Sequence, residues 1–413
     1  MPPRARGRGS RGNGNLDPQI NTARLPQELI DAIIDEFDES LKDESNPPTY
    51  PDRKALRACA LVSRAFVRPS QMKLFSTVNL RAVTSYGAPP DETYTAFSKL
   101  LSSKPHIGSY VRNLVLSYRS GRSNSVEYIL SSLPKLKMLS LHPTRDYAQW
   151  RETVPFPAHG KDAFLAVFSL ASLQRLELRN HQFSDALELD AILSNSLGLK
   201  ELLLAGIRFT GGSPRPSEKP ARVVLRSLEL LGMQDGQCEA MMSGFGAVDV
   251  THLRSISLTG YSRSLLHANS LSLEELTLVG QYSPGRSFPS HLDQILPPNT
   301  RLRTLNLRIY NFDIISAIIR QLGNLANVKT LRRISITVPE PGVAWDTMPG
   351  IDSLLQGVGS ELEDIDFRFD NGLNPHHARV DVARVRRCLP NLDAKGILRI
   401  TYTSPGSELR YPM

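Results

Sequence analysis

One arrangement of apolar and polar positions recurs along most of the chain: L-x-x-L-x-L, with Ile, Val or Phe in place of some leucines. It reads VRNLVL from Val111, LKMLSL from Leu136, LQRLEL from Leu173, LKELLL from Leu199 and LRSLEL from Leu225. It continues as LRSISL from Leu253, LEELTL from Leu273, LRTLNL from Leu302, LRRISI from Leu331 and LEDIDF from Leu362. A weaker ILRITY starts at Ile397, and FSTVNL at Phe75 opens the series. From Leu173 to Leu362 the steps are 26, 26, 28, 20, 29, 29 and 31 residues, and a period in the twenties marks a stacked array. The last two apolar positions of each motif are two apart, so they share one face of a short strand. Between motifs lie segments with helical spacing: SVEYILSSL, DAFLAVFSL, LELDAILSNSL, FDIISAIIRQL and VDVARVRRCL. One strand–helix unit cannot bury its own apolar face. Stacked neighbours turn the leucines into a continuous column, each contributing about 1.5–3 kcal/mol when fully buried. The pattern predicts an α/β fold: a curved solenoid with a parallel sheet on the concave side and helices outside.

The first eighty residues follow a different rule. RLPQELIDAIIDEF predicts a helix with Pro26 in the first turn and Glu28 beside the positive helix end. Leu29, Ile33 and Phe37 form one apolar stripe; Ile30 and Ile34 form a second. The segment ALRACALVSRAF, Ala55 to Phe66, is apolar around too much of a helix to suit one packing face. Such a helix is buried on several sides, so the pattern predicts that something beyond its sister helix covers it.

Two resemblances follow from these residues. The array resembles a leucine-rich-repeat protein over about three quarters of the chain. It departs from that family where an Asn or Cys is expected three positions past the last leucine: Arg119, His181, Ile207, Met233, Tyr261 and Gln281 stand there. Upstream, Leu25-Pro26-x-Glu28-Leu29, then Ala60-Leu61-Val62-Ser63-Arg64-Ala65-Phe66 and the exit LFSTVNL, resemble an F-box of the fungal type. Here Phe66 replaces the commoner Trp, and an insertion from Lys42 to Pro51 lengthens the link between helices. The resemblance implies that the helical unit docks on a Skp-type adaptor and through it on a cullin scaffold. Carried over by motif position, the adaptor-facing residues are Leu25, Pro26, Leu29, Ile33, Leu56, Cys59, Leu61, Val62 and Phe66. The implied organisation is an Arg/Gly-rich tail (1–21), an F-box-like helical domain (22–75) and a leucine-rich-repeat-like solenoid (76–413). The implied role is substrate recognition in an SCF-type cullin-RING ubiquitin ligase. The alternative is a non-enzymatic scaffold whose first helices only cap the array.

In such an array the polar positions between leucines face the concave surface. For a target protein they offer Arg175, Glu177, Arg179, Glu201, Glu229, Glu275, Arg308, Arg333, Asp364, Asp366 and Arg368, with a hydroxyl-rich middle. A solvated sheet face reads the same way. The long irregular loops follow strand ends and would share one rim; they carry both tryptophans, Trp150 and Trp345. Each is either a recognition anchor on a rigid scaffold or a side chain that seals its own loop.

Composition narrows the chemistry. At 413 residues, 40% hydrophobic and 22% charged, the chain has the make-up of an ordinary globular protein. Its apolar runs fall short of the roughly 20 residues needed to span a bilayer, and the first residues lack the apolar core of a secretory signal. Cys59, Cys238 and Cys388 form no CxxC pair, which points to reduced thiols in cytoplasm or nucleus. The formal charge of +8 is uneven: Arg4, Arg6, Arg8 and Arg11 put +4 in the first sixteen residues, whereas Asp35 to Glu44 carries −5. RARGRGSRG has no interleaved aromatics, so a nucleic-acid partner is not expected. No phosphate loop, HExxH or GxSxG motif occurs. His377 with Asp381 makes half a metal site at most, and Cys388 beside Arg386 and Arg387 reads as a repeat cysteine. The expectation is a binding protein: no enzyme, no cofactor, no metal.

Overall fold

The computed structural model describes residues 25–39, 53–80, 90–118, 124–143, 153–156, 161–211, 223–233, 237–259, 262–280, 301–309, 312–324, 330–339, 348–358, 361–370 and 382–403. The tail 1–21, the Lys42–Pro51 insertion, both tryptophans and the His376–Asp381 segment lie outside them.

Twelve strands form one parallel sheet: Thr77–Leu80, Asn113–Tyr118, Met138–Pro143, Arg175–Arg179, Glu201–Ala205, Ser227–Leu231, Ser255–Leu258, Glu275–Val279, Thr304–Arg308, Arg333–Pro339, Asp364–Asp370 and Leu398–Thr403. Each pairs with the one before and the one after it in the chain. The first through twelfth strands are numbered below in this order. The protein is thus an α/β chain built on a large parallel sheet.

The register explains why the leucine frame produces this sheet. The fourth position of each motif from FSTVNL to LEDIDF is aligned across the sheet: Val78, Leu114, Leu139, Leu176, Leu202, Leu228, Ile256, Leu276, Leu305, Ile334 and Ile365; Leu398, the second position of ILRITY, closes the row, so the last motif sits two residues out of this frame. The sixth position forms a parallel row two residues on, from Leu80 through Leu204 and Leu278 to Phe367, which Ile400 extends in the last strand. A slip of one residue would turn every one of these side chains to the opposite face. The first motif position supplies a third row just before the strands, with Leu136, Leu173, Leu225 and Leu253 fully buried.

Against this face lie the apolar sides of the intervening helices. Ile129 and Leu130 of Asn124–Ser131, Phe164 and Phe168 of Lys161–Phe168, and Leu189 and Ile192 of Ala186–Leu193 join the strand leucines in one core. That core continues to Ile315 and Ile319 of Phe312–Asn324 and Val385 of Val382–Cys388. Successive helices also pack on each other along the sheet.

Strand ends share one backbone device. Asn180, Gly206 and Gly232 occupy equivalent register positions, one beyond Arg179, Ala205 and Leu231, and all have positive φ (59°, 61° and 65°). A Cβ on Gly206 would come within 2.6 Å of Asn180 Oδ1, so this step requires glycine. The next positions, His181, Ile207 and Met233, are buried apolar or aromatic groups. They occupy the place where the family pattern expects a polar ladder. Here His181–Phe183, flanked by Val154–Pro155 and Arg208–Phe209, starts a separate three-stranded ladder, which the leucine frame did not predict.

Buried carboxylates tie neighbouring units together. Asp190 accepts from the backbone N–H groups of Gly246 (3.1 Å) and Ala247 (2.9 Å). Asp352 accepts from Asn391 N–H and Leu392 N–H (3.1 Å each) and from the Asn391 amide (2.6 Å). Asp190→Ala leaves two backbone donors inside without an acceptor. It is expected to cost about 2–3 kcal/mol, read as a lowered urea midpoint at unchanged slope.

Candidate partner-binding site

Helix Gln27–Glu39 is started by Pro26, whose carbonyl accepts from Leu29 N–H (3.1 Å) and Ile30 N–H (3.3 Å), and Gln27 bonds Asp31 across one turn. Its two apolar stripes part company. Ile30 and Ile34 are buried, whereas Leu29 is 52% exposed and Ile33 is exposed beside it. Helix Arg53–Val62 buries Leu56 and half-buries Cys59, then ends on Leu61, 88% exposed, and Val62, also exposed. Ser63 breaks the chain between helices: its Oγ accepts from Ala65 N–H (3.3 Å) and so caps Arg64–Leu74. Phe66 of that helix, with Ile30, Ile34 and Leu56, makes a small interior to which Cys59 and Leu74 contribute. Lys73 pairs with Asp35 at 2.9 Å and links the first and third helices.

The expected contact surface is therefore corrected at two positions. Leu56 and Phe66 point inward, because with Ile30 and Ile34 they fill the centre of the three short helices. Leu25, Pro26, Leu29, Ile33, Leu61 and Val62 are exposed, and Cys59 lies at the boundary. Burial is thus satisfied on one side only, and large apolar side chains remain in water on the other. Isolated surface leucines are normal; Leu29, Ile33, Leu61 and Val62 exposed on two packed helices of this size, with Leu25 just before the first, are not.

The second candidate surface is the sheet face opposite the helices, where Arg175 organises the fourth to sixth strands. Its guanidinium lies 2.9 Å from Glu177, 3.0 Å from Glu201 and 3.4 Å from Glu229. To reach Glu229, two strands away, it crosses the fifth strand above Leu203, a buried leucine on this otherwise polar face. Leu203, Ala205 and Leu231, with Val279 against them, form a small apolar strip here. Glu177 also accepts from Ser140 Oγ (2.8 Å) and faces Arg179 at 3.4 Å. Further along, Glu275 accepts from Asn306 (3.0 Å) and Ser255 (3.3 Å). Arg333 pairs with Asp364 (3.1 Å), and Asp366 pairs with Arg368 (2.6 Å) while accepting from Thr401 Oγ1 (2.8 Å). Arg308 is half-buried and lies near enough to act on Glu229.

The structure brings most of the expected target-facing residues together on this face, with one correction. Glu177, Arg179 and Asp366 are buried, because neighbouring long side chains fold over them; the accessible charges are those of Arg175, Glu201, Glu229, Glu275, Arg308, Arg333, Asp364 and Arg368. Trp150 and Trp345 lie outside the described residues. The anchoring role of Ser140 was missed. Only the register, which sets it beside Glu177, reveals it.

Burial sets the ionisation of this network. It pushes the Glu177 carboxyl up, but Arg179 and Arg175, with hydrogen bonds from Ser140 and Arg175, outweigh it and hold the group below the usual carboxylate range. For Glu229 burial prevails: with Glu177 nearby it raises the carboxyl above its ordinary value despite Arg175, Arg179 and Arg308. Arg175 is itself raised, since Glu177 and Glu229 overcome the opposing effect of its burial. A carboxylate depressed in the folded state stabilises above its unfolded pKa and loses that contribution as pH falls through its folded value. Acidification below about pH 4 is therefore expected to lower the melting temperature of the parent chain more steeply than that of Glu177→Gln, in thermal scans across the acid range.

Among the described residues no helix is long and apolar enough to cross a membrane, and no group of three or more His, Cys, Asp or Glu side chains is placed to hold a metal. Cys388 is half-buried. Comparison with known proteins adds no likeness: no family model matches the chain, and no curated protein matches it.

Proposed function

We propose that this chain is the substrate-recognition subunit of an SCF-type cullin-RING ubiquitin ligase, working in cytoplasm or nucleus. Its first three helices serve as an F-box-like unit that docks on a Skp-type adaptor. The strand–helix array behind them is a leucine-rich-repeat-like solenoid that holds a target protein on its sheet face. The chain performs no chemistry; it contributes proximity and orientation to a transfer carried out by other subunits.

The observation that carries this reading is the division of the Leu25–Phe66 region. The same helices that bury Ile30, Ile34 and Leu56 leave Leu29, Ile33, Leu61 and Val62 in solvent. Leu29, Leu61 and Val62 fall within the LPxEL and ALVSRAF motifs, and Ile33 lies one turn past the first. The twelve strands in unbroken chain order support the solenoid half of the proposal. Capture of a purified Skp-type adaptor by the purified full chain tests it. A 1:1 complex at micromolar or tighter affinity supports the reading; no complex overturns it.

A second reading has one observation in its favour. Helix Arg64–Leu74 runs into the first strand through two residues, and the Ser76 carbonyl already accepts from Arg112 and Asn113 of the second unit. The helices would then only cap the sheet edge, and Leu61 and Val62 would have no partner.

A further inference from the structure

We propose that residues 1–24 of this chain dock across the fifth to eighth strands, with Arg4, Arg6, Arg8 and Arg11 pairing with the carboxylates of that face. The four strands contribute Glu201, Glu229 and Glu275 to the face opposite the helices, and no basic residue. Their only described ion-pair partner is Arg175, a single guanidinium shared by Glu177, Glu201 and Glu229. Glu275 is contacted by neutral groups alone, Ser255 and Asn306.

The shape suits an extended chain. Along the row of Glu201 and Glu275 the two intervening strands present only Ser227 and Ser255. Two glutamates thus flank a hydroxyl-lined floor about 14 Å wide, three strand spacings. On the fourth strand, four register positions beyond Arg175, Arg179 is buried and its Nε has no acceptor among the described residues.

The first residues match this floor in charge and in bulk. RARGRGSRG alternates arginine with glycine and small residues. Glycine lets the backbone approach the serines closely, while planar guanidinium forks bind carboxylates with two hydrogen bonds. No acidic residue precedes Asp17. Arg11 lies fourteen residues before Leu25, about 46 Å at full extension, and the fifth to eighth strands lie about 19 to 34 Å from the first. The contact does not depend on the ubiquitin-ligase reading.

The test uses the full chain with p-benzoylphenylalanine in place of Ala5, photolysed and mapped by mass spectrometry. Intramolecular cross-links to peptides covering residues 201–279 are expected. They should fall at least about tenfold in 1 M salt, where the screening length is about 3 Å, and in Glu201→Lys/Glu275→Lys. Both glutamates are accessible, and circular dichroism confirms that the double variant folds. Changing the four tail arginines to Glu in that variant should restore the cross-links. Cross-links that map elsewhere, that ignore charge reversal, or that join two chains overturn the proposal; the last would assign the face to a second copy.

Discussion

Replacing Leu29 with Asp is expected to abolish capture of a Skp-type adaptor while leaving the unfolding free energy within about 1 kcal/mol of the parent. Leu29 is half in solvent and contributes nothing to the small interior of Ile30, Ile34, Leu56 and Phe66. A carboxylate there costs the isolated chain only the difference in helix propensity, about 0.5 kcal/mol. Under an adaptor the same carboxylate would be dehydrated against apolar side chains without a partner. That costs several kcal/mol, a loss of more than about a hundredfold in affinity. Val62→Asp should behave alike, since Val62 is exposed at the end of the second helix. Leu56→Asp is the contrasting variant: Leu56 is fully buried, and its substitution should unfold the three helices. Calorimetric titration with purified adaptor, paired with thermal melts, separates these outcomes. Full affinity in both Leu29→Asp and Val62→Asp would rule out the assigned contact surface.

The other large effect concerns the sheet. Leu276→Ala is expected to cost about 3–4 kcal/mol, within the 2–5 kcal/mol range for fully buried leucines. Leu276 lies in register between Ile256 and Leu305, and each of these strands hydrogen-bonds only to its immediate neighbours. No distant element compensates for the cavity. Stability in such a row is close to a sum of unit and nearest-neighbour terms. A defect at the eighth strand should therefore weaken coupling between the two sides as well as total stability. Denaturant unfolding followed by hydrogen exchange should show the ninth to twelfth strands opening at lower denaturant than the second to sixth. A single transition with uniform loss of protection would contradict the serial picture.

Much of this arrangement was legible in the residues because the leucine frame encodes direction. LQRLEL became strand Arg175–Arg179, LRSLEL became Ser227–Leu231, and DAFLAVFSL became helix Lys161–Phe168. A period-two frame repeated at near-constant spacing leaves one register that buries every leucine. The parallel order follows from it. Features that rest on relations between units were not legible. The roles of Asp190 and Asp352 depend on backbone donors some 40 to 57 residues away, and no local pattern marks a carboxylate as interior. Arg175 was read as one charge in a row, although its reach across the fifth strand is set by sheet spacing. At the N-terminal helices the motif named Leu56 and Phe66 together with Leu29 and Val62. Deciding which face each takes required the packing of all three helices. His181–Phe183 escaped notice because it begins where a polar turn was expected.

The one-after-another pairing of the strands also bears on how the polypeptide is made. A ribosome releases the amino end first, and each strand finds its hydrogen-bonding partner in the segment emitted just before it. No early portion has to wait, exposed, for a late one to arrive, as it must in sheets whose neighbours are far apart in the chain. Growth of the structure can keep pace with translation, and a premature stop would yield a shorter stack with an open last edge rather than an unfolded fragment.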